Sequence, residues 1–224
     1  MKNTDTLDVA IISLKEHSVR RDKIAKELES QGYNSKISYA INGKNMNAHE
    51  YFCASRCETS KRKGRKYLTP SELGCFLSHK ETIHDFIIHG NEWLIVLEDD
   101  VSLINNLNKL TEKLESLHTD SIYILGGQDG LASFKKVLFI RQKNDTRKII
   151  MGTHRWIYRT CCYMIHRNTA LMIDQLMSKY TFMADDWGFI LKNTKIKNIY
   201  FENFFSHPID ISNSTIESER ILAR

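Results

Sequence analysis

Proline is nearly missing from this chain of 224 residues, with Pro70 and Pro208 the only two. No Pro/Gly/Ser-rich stretch divides the chain, so nothing reads as a linker and a single domain over residues 1–224 is expected. Long apolar runs are missing as well. The longest, such as Leu94–Leu97 and Val137–Ile140, are strand-sized, well short of the roughly 20 residues that cross a bilayer. Met1–Asp8 is polar and has no signal-peptide h-region, which predicts a cytoplasmic chain that is not exported. Cysteines are few and odd in number: Cys53, Cys57, Cys75, Cys161 and Cys162. The last two adjoin inside an expected strand, where successive side chains point to opposite faces. That is a poor disulfide framework and predicts reduced thiols. No G-x-x-x-x-G-K-[ST] occurs, which argues against a P-loop enzyme.

The formal charge of +5 is modest but unevenly placed, since Lys61-Arg62-Lys63-Gly64-Arg65-Lys66 puts five cations in six residues. Such a run is either a solvated loop or a contact for anionic head groups or phosphorylated substrate. No aromatic platform accompanies it, so nucleic acid is not the expected partner.

Apolar spacing alternates between strand and helix periods. Strands are expected at Asp8–Leu14, Lys36–Ile41, Trp93–Leu97, Ser121–Leu125, Arg159–Ile165 and Lys197–Glu202, with a hairpin of Lys136–Ile140 and Arg147–Met151. Helices are expected at Ser18–Ser30, from Thr69 to about His89, at Leu103–Leu117, and at Thr169–Ser178 capped by Asn168. Thr69-Pro70-Ser71-Glu72 is a strong helix start, with a capping threonine, proline at the first position and glutamate completing a capping box. The alternation implies an α/β fold with a mostly parallel sheet and helices on both faces. In such sheets ligands sit beyond the carboxyl ends of the strands.

At one such end Trp93–Leu97 runs directly into Glu98-Asp99-Asp100. Three successive carboxylates repel one another, and a divalent cation, Mg²⁺ or Mn²⁺, would compensate them while leaving positions for substrate phosphates. Spacing alone leaves an acidic turn that merely solvates the strand end equally open.

Three stretches carry a resemblance to a known family. They are Val9–Leu14 followed by Arg20-Arg21, then Ser71-Glu72-Leu73-Gly74-Cys75-Phe76-Leu77-Ser78-His79, and Leu94–Leu97 followed by Glu98-Asp99-Asp100-Val101. Together they resemble glycosyltransferase family 25, over about Val9 to Ile216. That family includes bacterial lipooligosaccharide and lipopolysaccharide core glycosyltransferases, many of them galactosyltransferases, and the collagen galactosyltransferases. The resemblance implies an A-type glycosyltransferase, Rossmann-like fold, a UDP-sugar donor with UDP-galactose favoured, a divalent cation and inversion at the anomeric carbon. It implies a nucleotide-sugar and metal half over 1–127 and an acceptor half over 128–224. A lipooligosaccharide or lipopolysaccharide core acceptor would bring the chain to the cytoplasmic face of the inner membrane.

Carried onto this sequence, Asp100 would ligate the metal with Glu98 as a further ligand, and Glu98 or Asp99 would otherwise meet the ribose or a metal-bound water. Ser78 and His79 would lie near the donor. Arg21 can hold phosphate or cover its own helix. Asn42-Gly43 stands where relatives often carry Asp-Gly, which keeps the turn but replaces a carboxylate by an amide. An inverting transfer needs a general base on the acceptor side. Asp186 is the choice and Asp185 the alternate, with Trp187 offering a face for a sugar ring. His207 is a further metal ligand, and Ser214-Thr215-Ile216 would close over the diphosphate. His49, Cys53 and Cys57 repeat every fourth residue, which suggests zinc but is better read as ordinary thiols. The competing readings are a non-catalytic sugar-nucleotide module and a metal-dependent phospho- or nucleotidyltransferase.

Overall fold

The computed structural model describes residues 6–57 and 66–209 together with Ile216 and Glu219. The basic residues from Lys61 to Arg65 and the pair Ser214-Thr215 lie outside the described residues.

The strands are β1 (Leu7–Ser13), β2 (Lys36–Tyr39), β3 (Trp93–Glu98), β4 (Ser102–Leu103), β5 (Ser121–Gly126), β6 (Phe139–Arg141), β7 (Arg147–Ile149), β8 (Cys162–His166) and β9 (Asn198–Ser206). The helices are α1 (Ser18–Ser30), α2 (Ala48–Ala54), α3 (Pro70–His89), α4 (Asn108–Thr111), α5 (Arg167–Lys179) and α6 (Trp187–Asn193). The nine strands among the described residues join one sheet in the order β2-β1-β3-β8-β5-β9-β7-β6, with β4 pairing the end of β9. The fold is therefore mixed α/β. β1, β2 and β3 are mutually parallel, as are β5 and β9, while β8 runs antiparallel between β3 and β5.

Strand alternation sorts the apolar side chains into two layers. On one face Ala10, Ile12, Leu94, Val96, Ile122 and Ile124 pack beneath α3, α5 and α6 through Phe76, Phe86, Ile173 and Trp187. On the other, Val9, Ile11, Ile95, Leu97 and Tyr123 meet Ile24 and Leu28 of α1 and the leucines Leu107, Leu110, Leu114 and Leu117. Helical cover on both faces thus follows from the strand pattern.

Three local expectations are corrected. Leu103–Leu117 keeps its helical spacing of buried leucines but not a helix. Leu103 is taken into β4 against Phe205, and the rest closes as the single turn α4 and a 3₁₀ turn at Leu114–Ser116. Beyond the two four-residue bonds of α4, Thr111 N–H to Leu107 O and Glu112 N–H to Asn108 O, its bonds tighten to three residues, as in Lys113 N–H to Leu110 O and Leu117 N–H to Leu114 O. The cap of α5 is the His166 ring, whose Nδ1 accepts from the Asn168 N–H, two residues before the expected asparagine cap. Cys161 precedes β8 rather than lying in it, next to a chain that passes through Arg159 at φ 66. Both thiols therefore turn into the same layer with their sulfurs 3.9 Å apart.

Candidate functional site

The carboxyl ends of β1 and β3 open into a cavity of about 550 Å³, within the size range of small-ligand sites. Its wall draws on the β1–α1 turn (Ser13, His17, Arg20), the loop Ala40–Lys44, the inner face of α3 (Cys75, Ser78, His79), the triplet Glu98-Asp99-Asp100, and His207.

The loop and helix meet because two glycines let them. A side chain on Gly43 would overlap the Pro70 carbonyl oxygen, and one on Gly74 would come within 2.5 Å of Ile41 O and 2.7 Å of Gly43 N. Ser78 completes this seam: its hydroxyl donates to Gly74 O at 2.6 Å and accepts from the Ile41 N–H at 2.8 Å. Its role is thus to brace the loop on α3 at the cavity wall. Asn42 Oδ1 accepts from the Lys44 N–H at 3.1 Å and shapes the same turn.

The triplet divides three ways. Glu98 Oε1 accepts from Thr160 Oγ1 at 2.9 Å and faces His79 Nε2 at 3.4 Å. His79 is only 2% exposed, and its Nδ1 meets Tyr163 OH at 3.1 Å. Burial pushes the Tyr163 phenol far up, so it stays protonated. Asp99 turns the other way, accepting from Ser13 Oγ at 2.7 Å and facing His17 at 3.4 Å and Arg20 at 4.0 Å. Burial raises its carboxyl above the ordinary range despite those partners. Asp100 Oδ2 lies 3.2 Å from His207 Nε2. Burial acts to raise the Asp100 carboxyl and to lower the His207 imidazole. Their mutual hydrogen bond and charge outweigh it, so Asp100 sits below and His207 above its usual value.

Asp100 Oδ1 is buried with no hydrogen-bond partner. A buried carboxylate oxygen without a donor is costly, and beside an imidazole nitrogen it is the arrangement a divalent cation would satisfy. The residues fit such an ion.

The remaining expected residues fall at or beyond the rim. Arg20 lines the cavity and Arg21 does not. Arg21 reaches back to Leu14 O at 3.4 Å and lies over the Tyr39 ring, which is the helix-covering alternative. Helical geometry decides this, since His17 and Arg20 are three apart and share the face turned to Asp99. Neither Asp185 nor Asp186 is in the cavity wall. Asp186 is the cap of α6, its Oδ1 accepting from the Phe189 N–H at 3.0 Å, and Asp185 Oδ2 accepts from the Arg159 N–H at 3.2 Å, one residue from Thr160. Trp187 is no sugar platform. It is 2% exposed and packs edge-on against Tyr163. Of the zinc trio, Cys53 and His49 approach to 3.7 Å on exposed α2, while Cys57 is buried apart from them. Ser13, Thr160 and Tyr163 were not legible as site residues, because lone hydroxyls at strand ends carry no sequence signature.

Residues 7–187 match the family described as glycosyltransferase family 25 (LPS biosynthesis protein). The chain belongs to glycosyltransferase family 25. Curated relatives include procollagen galactosyltransferase 1 of Danio rerio, 32% identical over 55% of this chain and 22% of its own length. Procollagen galactosyltransferase 2 of Homo sapiens is 32% identical over 48% of this chain and 18% of its own. A Rattus norvegicus relative 28% identical, over 52% of this chain and 22% of its own, carries the name "probable inactive glycosyltransferase 25 family member 3". The chain therefore spans only about a fifth of the length of these relatives. Among solved structures, a glycosyltransferase involved in glycosylation of the major capsid of PBCV-1 overlaps at TM-score 0.46 and 11% identity, covering 96% of this chain and 99% of that one.

Proposed function

We propose that this family 25 chain is an inverting, metal-dependent hexosyltransferase. Its donor is a UDP-sugar, galactose first, and its acceptor a lipooligosaccharide or lipopolysaccharide core sugar. The observation that carries the reading is the partnerless buried Asp100 oxygen beside His207, in a cavity that also presents Arg20 and Lys44. The family's description supports the acceptor class and the relatives' names support galactose.

Asp100 and His207 would hold the cation, and when bound it neutralises the departing diphosphate as a Lewis acid. Arg20 and Lys44 orient the diphosphate. Asp99 holds the β1–α1 turn through Ser13 and His17, so that Arg20 points inward. His79 fixes Glu98 for a ribose or water contact. Asp186, with Asp185 as alternate, takes the acceptor proton during a single in-line displacement.

Peripheral contact with an anionic membrane face belongs to the same reading. The run Lys61–Lys66 supports it, as does the β6–β7 hairpin, where Leu138, Ile140 and Met151 are exposed among Lys135, Lys136, Lys143 and Arg155. No helix among the described residues is long and apolar enough to cross a membrane.

The deciding experiment incubates the protein with a panel of nucleotide sugars, metal and a core oligosaccharide acceptor, and weighs the products. A hexose-sized gain on the acceptor is expected. A phosphate- or nucleotide-sized gain would replace the transferase by a phospho- or nucleotidyltransferase. Metal-dependent donor binding with neither transfer nor hydrolysis would establish the binding-module reading, for which the relative named "probable inactive" is a precedent.

A further inference from the structure

α3 carries a second ligand set, separate from the Asp100–His207 pair. Cys75 and His79 are four residues apart on one face of the helix. Glu98, at the end of β3, meets that face. One ligand atom from each, Cys75 Sγ, a His79 ring nitrogen and a Glu98 oxygen, lie within 4.8 Å of one another. The His79–Glu98 separation of 3.4 Å is already what two ligands of one small ion adopt. Thiolate, imidazole and carboxylate together are a zinc donor set, and three protein ligands with an open fourth position describe reactive zinc sites.

The surroundings favour the same ion. Tyr163 OH sits 3.1 Å from His79 Nδ1, so an Nδ1–H donated to the phenol leaves the Nε2 lone pair facing Glu98. This is the outer partner that zinc-bound histidines use to fix tautomer and ring plane. Thr160 Oγ1 donates to Glu98 Oε1 at 2.9 Å and lies 3.9 Å from Cys75 Sγ, holding both outer ligands to one side. Cys75 is not in a disulfide and is half-exposed in the cavity wall, so the fourth position opens into the cavity. The hard pair Asp100–His207 lacks sulfur, and the two sites therefore select different metals.

We propose that Cys75, His79 and Glu98 form a zinc-binding site in the cavity wall, distinct from the hard-cation position at Asp100. Occupation would draw Glu98 toward α3 and place a metal-bound water in the cavity. Metal binding at this site does not depend on any transfer reaction.

The test is titration of the reduced, metal-stripped full chain with Co²⁺ as a spectroscopic probe, followed by displacement with Zn²⁺. Thiolate-to-cobalt charge-transfer absorption with tetrahedral visible bands at one equivalent is expected, and Zn²⁺ should abolish both. Cys75→Ser should remove the charge-transfer band, while Cys53→Ser and Asp100→Asn should keep it. Tyr163→Phe, nearly isosteric, should weaken zinc binding about 10–100-fold, the usual loss for an outer partner. X-ray absorption of the zinc-loaded wild type should show one sulfur among nitrogen and oxygen ligands, a reading that needs no variant to fold. A wild type with no thiolate band, a band that survives Cys75→Ser, or a zinc shell without sulfur would overturn the proposal.

Discussion

Three neighbouring carboxylates in this chain have three different tasks, and side-chain direction separates them. Asp99 is spent on Ser13, His17 and Arg20, Glu98 on Thr160 and His79, and only Asp100 keeps a buried oxygen without a partner. Asp100→Asn should therefore abolish metal-dependent thermal stabilisation by nucleotide sugar, whereas metal-independent binding of the nucleotide should fall less. Differential scanning fluorimetry with and without Mn²⁺ separates the two. Asp186 calls for a paired comparison, because it both caps α6 and is the proposed base. Asn is as good a cap as Asp, so Asp186→Asn should keep the wild-type melting temperature and donor binding but lose transfer. Asp186→Ala should lose transfer and also about 1 kcal/mol of stability. Full transfer by Asp186→Asn would remove it from the chemistry. The acids themselves were legible from their place after a buried strand. Their division of labour was not, because it depends on partners from β1, α3 and β9 that are distant in sequence.

Among the elements, α3 was the most legible and the segment after β4 the least. α3 announces itself locally: Thr69 and Glu72 form the reciprocal capping box and Pro70 occupies the first turn, all as expected from four consecutive residues. The segment 103–117 has equally good spacing but no cap, and pairing of Ser102–Leu103 with β9 removes its first turn. The seam of α3 with the Asn42-Gly43 loop yields an element-scale prediction. Gly74→Ala should push the loop away from α3, lowering stability by about 1–3 kcal/mol and weakening donor binding, while far-ultraviolet circular dichroism stays unchanged. β9 offers the opposite case. Glu202 lies buried in it with Oε1 unpartnered, and burial raises its carboxyl above the usual value. A raised acid binds its proton more tightly folded than unfolded, so its ionisation costs stability as pH rises above the unfolded value. Glu202→Gln should accordingly raise the melting temperature at pH 7 by about 2–4 °C, the shift about 1 kcal/mol gives in a domain of this size. The gain should vanish in acid, where Glu202 is protonated in both states.

At the scale of the whole molecule, one sheet interleaves strands from both expected halves. β8, from beyond residue 127, lies between β3 and β5, and His207, just after β9, enters a cavity otherwise built from the first 102 residues and Pro208 and Ile216. One calorimetric transition is therefore expected, shifted upward as a unit by donor and metal together. Two resolved transitions would instead mean that 1–127 and 128–224 unfold independently. The sequence by itself determined the α/β class, the positions of the long elements and the place of the acidic triplet, because periodicity, caps and strand-end chemistry are local properties of neighbouring residues. Only the tertiary structure decided that Arg20 rather than Arg21 enters the cavity, that Trp187 is buried, and that Asp100 meets His207. Each of these depends on which face of an element a distant strand covers. A one-dimensional pattern sets the period of a helix or strand but not what lies across from it.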